Sequence, residues 1–243
     1  MDRNRWFIFA GICIAIVAGL IYSSNSNKVA VDEVNPFQIT TDREINDQVY
    51  GNKDAKVIVY EYADFQCPGC GGAFPNIQRI KEQYKDTVAF VYRHFPLTSI
   101  HPHAFAAASA AEAAGQQGKF WEMHDLIFQS QDTWKDLSAE QRQTTFEGFA
   151  KQLGLNETQF KADIASEKVS EKVNFDRALG IKVGVDSTPT VFINNNKVDD
   201  ETATDLIQQN GDKLVEKINA AITKAGGTIP NATSPDPATV TGQ

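Results

Sequence analysis

The sequence predicts an α/β fold: a strand, a helix and a second strand set around a Cys-x-x-Cys motif, then a long helical insertion, then a return to sheet. Three observations carry this reading. Val57-Ile58-Val59-Tyr60-Glu61-Tyr62 is rich enough in β-branched and aromatic residues to be a buried strand, and Gly51-Asn52-Lys53-Asp54 before it reads as a turn. Phe74, Ile77, Ile80, Lys81 and Tyr84 then recur at three and four residues, the spacing of a helix that lays one face on a sheet. Thr87-Val88-Ala89-Phe90-Val91-Tyr92-Arg93 supplies the second strand, so the pair is parallel and its crossover right-handed.

From His101 to about Gly180 the apolar residues keep helical spacing. Ala104 to Ala114 is alanine-dense, and Phe120, Trp121, His124, Leu126, Ile127 and Phe128 form a second amphipathic segment. Phe146, Phe149, Ala150 and Leu153 form a third that Gly154 ends; Asn156 caps a fourth; Val169 to Leu179 makes a fifth that stops at Gly180. Thr190-Val191-Phe192-Ile193, the turn Asn194-Asn195-Asn196 and Lys197-Val198-Asp199 make an antiparallel hairpin. A last helix from about Asp212 to Ala225 turns Leu214, Ile218, Ala221 and Ile222 inward.

The 243 residues, 42% apolar and 22% charged, suit one globular domain with attachments at both ends. Trp6 to Tyr22 carries no charge, follows Arg3 and Arg5, and precedes Ser23-Ser24-Asn25-Ser26-Asn27. It is longer than a usual signal-peptide core and at the short limit for a spanning helix, so an uncleaved anchor is expected, with Ser24-Asn25-Ser26 as the cleavage site of the alternative. The arginines put the N-terminus in the cytoplasm and the domain outside, at the cell surface or in a periplasm, or secreted if the segment is cut. Cys13 lies within this run as a lipid-facing passenger. Residues 23–44 read as a polar linker with a weak strand near Phe37-Gln38-Ile39, and residues 226–243 as a disordered tail. A net charge of −8 argues against a nucleic-acid partner.

Cys67-Pro68-Gly69-Cys70 holds the only cysteines outside the apolar run. Cys67 falls at a helix N-terminus, where unpaired N–H groups and the helix dipole favour a thiolate, and Pro68 suits the first turn. Such a thiolate attacks a disulfide or is released from one, and Cys70, one turn deeper, resolves the mixed species. A zinc site needs two more Cys or His ligands at matching spacing, which His94, His101, His103 and His124 do not offer. A structural bridge over two residues closes too small a loop to stabilise much. The expected metal content is none, and the dithiol itself serves as the redox group.

Glu61 six residues before Cys67-Pro68-Gly69-Cys70, the helical insertion, and Ser187-Thr188-Pro189-Thr190 opening a late strand together resemble the DsbA-type thiol-disulfide oxidoreductases. The resemblance covers about residues 45–225 and implies a thioredoxin-like fold built from residues 45–100 and 181–225, with residues 101–180 as an inserted all-helical subdomain. It implies a cis Pro189 facing the dithiol, with Thr188 and Pro189 pairing an extended substrate segment and Pro68 and Gly69 beside it. It also implies that Glu61 shuttles a proton to Cys70 through water. Gly69 departs from the oxidase pattern, where a histidine adds a stabilising neighbour to the thiolate.

The expected function is an extracytoplasmic, monomeric oxidase that gives its disulfide to exported proteins and is reoxidised by a membrane partner linked to a quinone. Two alternatives stay open: a reductase or isomerase using the same site, and a non-catalytic module that binds clients in the groove beside Pro189.

Overall fold

The computed structural model describes residues 12–14, 16 and 31–230. The chain divides into two units, residues 1–33 and 34–243. In the first, Ile12, Cys13, Ile14 and Ile16 are helical and exposed. Most of the Trp6–Tyr22 run, on which the anchor expectation rests, lies outside the described residues, as do residues 231–243 of the tail. Among the described residues no helix is long and apolar enough to cross a membrane.

The second unit is a five-stranded sheet with helices on its faces and around the end that carries Cys67. The strands are β1 (Gln48–Gly51), β2 (Val57–Ala63), β3 (Val88–His94), β4 (Thr190–Ile193) and β5 (Asn196–Lys197). The helices are α1 (Pro68–Tyr84), α2 (Ala104–Gly115), α3 (Phe120–Gln129), α4 (Gln131–Trp134), α5 (Ala139–Gln152), α6 (Glu157–Ile164), α7 (Glu167–Lys182), α8 (Asp200–Gln208) and α9 (Asp212–Lys224). Strand order is β1-β3-β2-β4-β5. Only the β2–β3 pair is parallel, with Glu61 opposite Tyr92; the others are antiparallel.

Alternation along β2 divides the core. Val57 and Val59 face Ala73, Ile77, Ile80 and Tyr84 of α1 and Leu214, Ile218 and Ile222 of α9. Tyr60 and Tyr62 face the other way, against Phe95, Val185 and Phe192. Burying each such Ile, Leu or Val contributes about 1.5–3 kcal/mol, so both faces of β2 are fixed and its register with them. Past the strand end, Phe65, Cys70 and Phe74 join Tyr92 and the alanine face of α2 in a third cluster with α3, α5 and α6.

The structure corrects three local expectations and adds a helix. Residues 37–39 form no strand, because the chain turns there and gives the Pro36 and Gln38 carbonyls to the buried Arg93 guanidinium. Gly51 closes β1 rather than opening a turn; its φ of +87° and the Val88 carbonyl, 2.5 Å from any Cβ placed there, require glycine. Gly180 does not end α7, which runs on to Lys182 and stops at Gly184 with φ +77°. Gly180 is there for space, since a Cβ would lie 2.6 Å from the Phe95 ring. Helix α8 was not expected at all: its short DETATDLIQ sequence is mostly polar, but Asp199 caps it through the Thr202 N–H at 2.9 Å.

Candidate active site

Cys67 is the N-cap residue of α1, with φ −69° and ψ 124° and Pro68 just after it. Two backbone bonds hold this turn: Cys67 N–H donates to Asp64 O at 3.1 Å, and Gly71 N–H donates to Cys67 O at 3.1 Å. Both thiols are free; Cys67 is 8% exposed and Cys70 fully buried. Opposite them the chain enters β4 through a cis Thr188–Pro189 bond, and the Cys67 thiol donates to the Thr188 carbonyl at 3.3 Å. Gly69 stands between the two, where a Cβ would lie 3.4 Å from Pro189 Cδ and 3.7 Å from Cys67 Sγ. The structure therefore brings Cys67, Pro68, Gly69, Cys70, Thr188 and Pro189 together, with Glu61 in the strand behind.

The two sulfurs are driven apart in acidity. The Cys70 thiol donates to the Cys67 sulfur and, against the effect of burial, lowers the Cys67 pKa from 9.0 to about 5, helped by Thr188 and by the N–H groups of Cys70 and Gly69. Among the described residues the buried Thr188 hydroxyl has no other hydrogen-bond partner and so is free to serve this sulfur. Burial pushes the Cys70 thiol well up, and the Cys67 charge pushes it further. Near neutral pH the pair thus holds one charge and one proton, with the charge on the more accessible sulfur.

Glu61 is 7% exposed at the centre of β2. Burial raises its pKa to about 7, opposed by the Lys81 ammonium. Lys81, itself buried on α1, lies 3.8 Å from Asp125 and 4.0 Å from the Trp121 ring. The folded protein thus keeps the Glu61 proton between pH 4.5 and 7, where the unfolded chain has lost it. The resulting stability is complete below 4.5 and is lost as pH rises through 7, to a total of about 3 kcal/mol. Glu61→Gln is accordingly expected to raise the melting temperature at pH 8 and leave it nearly unchanged at pH 4.5. Equal shifts at both values by thermal melting would show that Glu61 is not buried as a neutral acid.

Two supporting residues have no signature in the sequence. Asp64, 1% exposed, accepts from the N–H groups of Gln66 at 2.7 Å and Leu97 at 2.9 Å and pairs with His101 at 2.7 Å, while its own N–H reaches Cys70 Sγ at 3.5 Å. Gln131 donates from α4 to the carbonyls of Phe65 and Cys67. Neither could have been singled out by spacing, because the Leu97 and His101 contacts of Asp64 and both carbonyl contacts of Gln131 cross between the reactive turn and a distant loop or helix.

His101 and His103 do not form a ligand pair: the first binds Asp64 and the second approaches Arg142 at 2.6 Å. Among the described residues His94, Glu112 and Asp176 place ligand atoms within 4.8 Å of one another. Lys172 already donates to Asp176 at 2.6 Å and to Asp47 at 3.0 Å, and Arg93 to Asp47 at 2.8 Å. These fixed cations supply positive charge next to that cluster and oppose a dication, and the network ties α2 and α7 to the sheet.

A family model described as Thioredoxin matches residues 43–210. Among curated proteins, a Na(+)/H(+) antiporter NhaA 1 of Salinispora arenicola is 36% identical over 179 residues, which are 74% of this chain and 24% of that protein. One of Mycolicibacterium vanbaalenii is 38% identical over 152 residues, 61% of this chain and 23% of that protein. The chain spans about a quarter of the length of these relatives. Among solved structures, a thioredoxin-like oxidoreductase from Silicibacter pomeroyi matches with TM-score 0.56 and 26% identity, over 74% of this chain and 92% of that one. BdbD from Bacillus subtilis matches with TM-score 0.60 and 23% identity over 73% and 93%. The thiol-disulfide exchange protein alpha-DsbA2 from Wolbachia pipientis matches with TM-score 0.60 and 22% identity over 72% and 86%. With the family model covering most of the chain, and the sheet and the cis-proline in place, the chain belongs to the thioredoxin family.

Proposed function

We propose that this protein is a thiol-disulfide oxidoreductase whose Cys67–Cys70 couple works as an oxidase of exported proteins. One observation carries the reading: a sulfur with a pKa of about 5 at a helix N-terminus, directly over a buried protonated thiol. A four-unit drop in pKa raises the thiolate fraction at pH 7 about a hundredfold, yet a nucleophilicity that falls with a Brønsted slope of roughly 0.4–0.5 loses nearly as much. As an attacking group Cys67 therefore gains little. As a leaving group it gains in full, because a stable thiolate departs readily. That asymmetry favours giving a disulfide away.

The steps balance. A client thiolate attacks Cys67 Sγ of the oxidised pair, the Cys67–Cys70 bond breaks, and Cys70 departs with the electron pair and takes a proton. Glu61, protonated up to about pH 7 and charge-coupled to Cys70, is the group placed to supply that proton through water. A second client thiolate then attacks the client sulfur of the mixed disulfide and Cys67 leaves as a thiolate. The client gains one disulfide and the couple gains two electrons. The extended client segment lies along Thr188 and Pro189, past Pro68 and Gly69. No cofactor beyond the dithiol is invoked, and a quinone-linked membrane partner reoxidises it.

The domain acts outside the cytoplasm as a monomer, held by an anchor in residues 6–22 or released by cleavage. No ion transport is proposed for this chain, whose match covers only 24% of the antiporter named above.

Gly69 favours a second reading, a reductase, since no residue there adds charge beside the sulfur. Equilibration with glutathione buffers separates them: a potential near −120 mV supports the oxidase and one near −270 mV the reductase. Gly69→His has room at its Cβ and is expected to make the couple more oxidising by about 30 mV for each unit by which it lowers the Cys67 pKa. An unchanged potential in that variant would remove Gly69 as a determinant.

A further inference from the structure

We propose that Gln131, contributed by the helical insertion, is a positioning residue for the reactive turn and sets the acidity of Cys67 from behind. Its amide is buried and both hydrogens of Nε2 are used, one on the Phe65 carbonyl at 2.7 Å and one on the Cys67 carbonyl at 2.9 Å. The Cys67 carbonyl is also the acceptor of the first helical bond of α1, from Gly71. A group that holds this carbonyl holds the peptide planes that aim the Gly69 and Cys70 N–H groups at Cys67 Sγ. Without Gln131, the buried Phe65 carbonyl would lose a partner and the cap would be free to rotate.

Gly71 gives independent support. It sits inside a helix with no positive φ, where glycine costs about 1 kcal/mol against alanine. Its reason is Gln131, since a Cβ at position 71 would lie 2.4 Å from Gln131 Oε1 and 3.1 Å from Nε2. The amide is held from its own side as well: Trp134, at the other end of α4, is fully buried and donates to the Ile127 carbonyl at 2.8 Å. A return strap runs beside it, as Gln66 next to Cys67 donates to the Lys135 carbonyl at 2.9 Å and accepts from His103 N–H at 2.7 Å. The reactive turn is thus gripped from the insertion at three consecutive residues, Phe65, Gln66 and Cys67. Displacing α4, for example by a client seated on the insertion, would reach the sulfur through one amide.

The inference rests on the oxidoreductase reading, and the test separates the two. In the full chain the Cys67 thiolate is titrated by its absorbance near 240 nm, in the parent protein and in Gln131→Met, Gln131→Ala, Gly71→Ala and the Gln131→Ala/Gly71→Ala double variant. Gln131→Met, which keeps the volume and removes both donors, is expected to raise the Cys67 pKa by about one unit, a tenfold loss of thiolate in the transition region, the worth of about one hydrogen bond. Gly71→Ala is expected to give a similar shift by displacing the amide, and to add nothing to the pKa in the Gln131→Ala background. A lower melting temperature with an unmoved titration in Gln131→Met would overturn the inference, as would a Gly71→Ala shift of the same size in both backgrounds. A parent protein whose Cys67 titrates as an ordinary thiol would overturn the functional reading instead.

Discussion

Cys70→Ser protein is expected to accumulate mixed disulfides through Cys67 when mixed with oxidised partners, while Cys67→Ser protein accumulates none. The asymmetry follows from burial. Cys67 keeps 8% of its surface exposed, whereas Cys70 has no exposed surface and its sulfur faces the Asp64 N–H. Removing Cys70 removes the nucleophile that resolves the adduct from the Cys67 side, so the adduct persists until an external thiol or the partner's own freed thiol attacks it. Serine is the informative substitution, because the hydrogen bond from residue 70 is the largest influence lowering the Cys67 pKa and a hydroxyl can still donate it. Cys70→Ala loses that donor, so its Cys67 should ionise at higher pH and form adducts more slowly below neutrality. Non-reducing gels and mass spectrometry of the trapped species read the outcome. Adducts through Cys70 in the Cys67→Ser protein would reverse the assigned roles, and an absence of adducts in both would remove the exchange chemistry.

How much of this was legible in the sequence depended on whether a contact was local or crossed the fold. Cys67 and Cys70 announced themselves, because a helix start after a strand is a local pattern and the motif lies at the junction. The acid in an apolar strand, Glu61, was visible by contrast with its neighbours. The cis state of Thr188–Pro189 was not readable from the residues themselves; it came only from the family likeness. Gly180 misled because a glycine near a helix end looks like a stop, while its real partner, the Phe95 ring, is remote in sequence. Gln131, Asp64 and Arg93 were silent for a related reason. Each is a polar residue whose partners are backbone carbonyls, backbone N–H groups or charges from other segments, and no periodicity encodes such pairs. Even α8 hid in a polar stretch, since tertiary packing of its Leu206 under α1 overrides a weak pattern.

The charge held by the reduced pair should also govern how the protein responds to pH. Between the Cys67 pKa of about 5 and the much higher value of Cys70, reduction of the disulfide takes up two electrons and one proton, because Cys67 stays ionised. The reduction potential is therefore expected to fall by about 30 mV per pH unit from pH 6 to 8, where a couple of ordinary thiols falls by about 59 mV. The same charge stabilises the reduced fold. A thiol whose folded pKa is depressed contributes stability that is complete above the unfolded value of 9.0 and is lost as pH falls through 5. At pH 7 that amounts to about 2.7 kcal/mol, since two units separate the pH from the folded pKa. Expressed as potential, it makes the couple about 60 mV more oxidising than ordinary thiols would be, because whatever stabilises the reduced form drives electrons toward it. Reduced protein should accordingly show a stability advantage over oxidised protein that grows from pH 5 to pH 8, and Cys67→Ser should abolish the pH dependence of its own stability over that range to the same extent. Glu61 titrates within this window and bends both curves near pH 7, so the comparison is made in a Glu61→Gln background. Denaturant melts of both redox states and potentials measured against glutathione supply the two slopes independently. A fall of about 59 mV per unit, or a redox gap that does not change with pH, would mean that both sulfurs are protonated at neutrality and that the helix terminus does not hold the charge assigned to it.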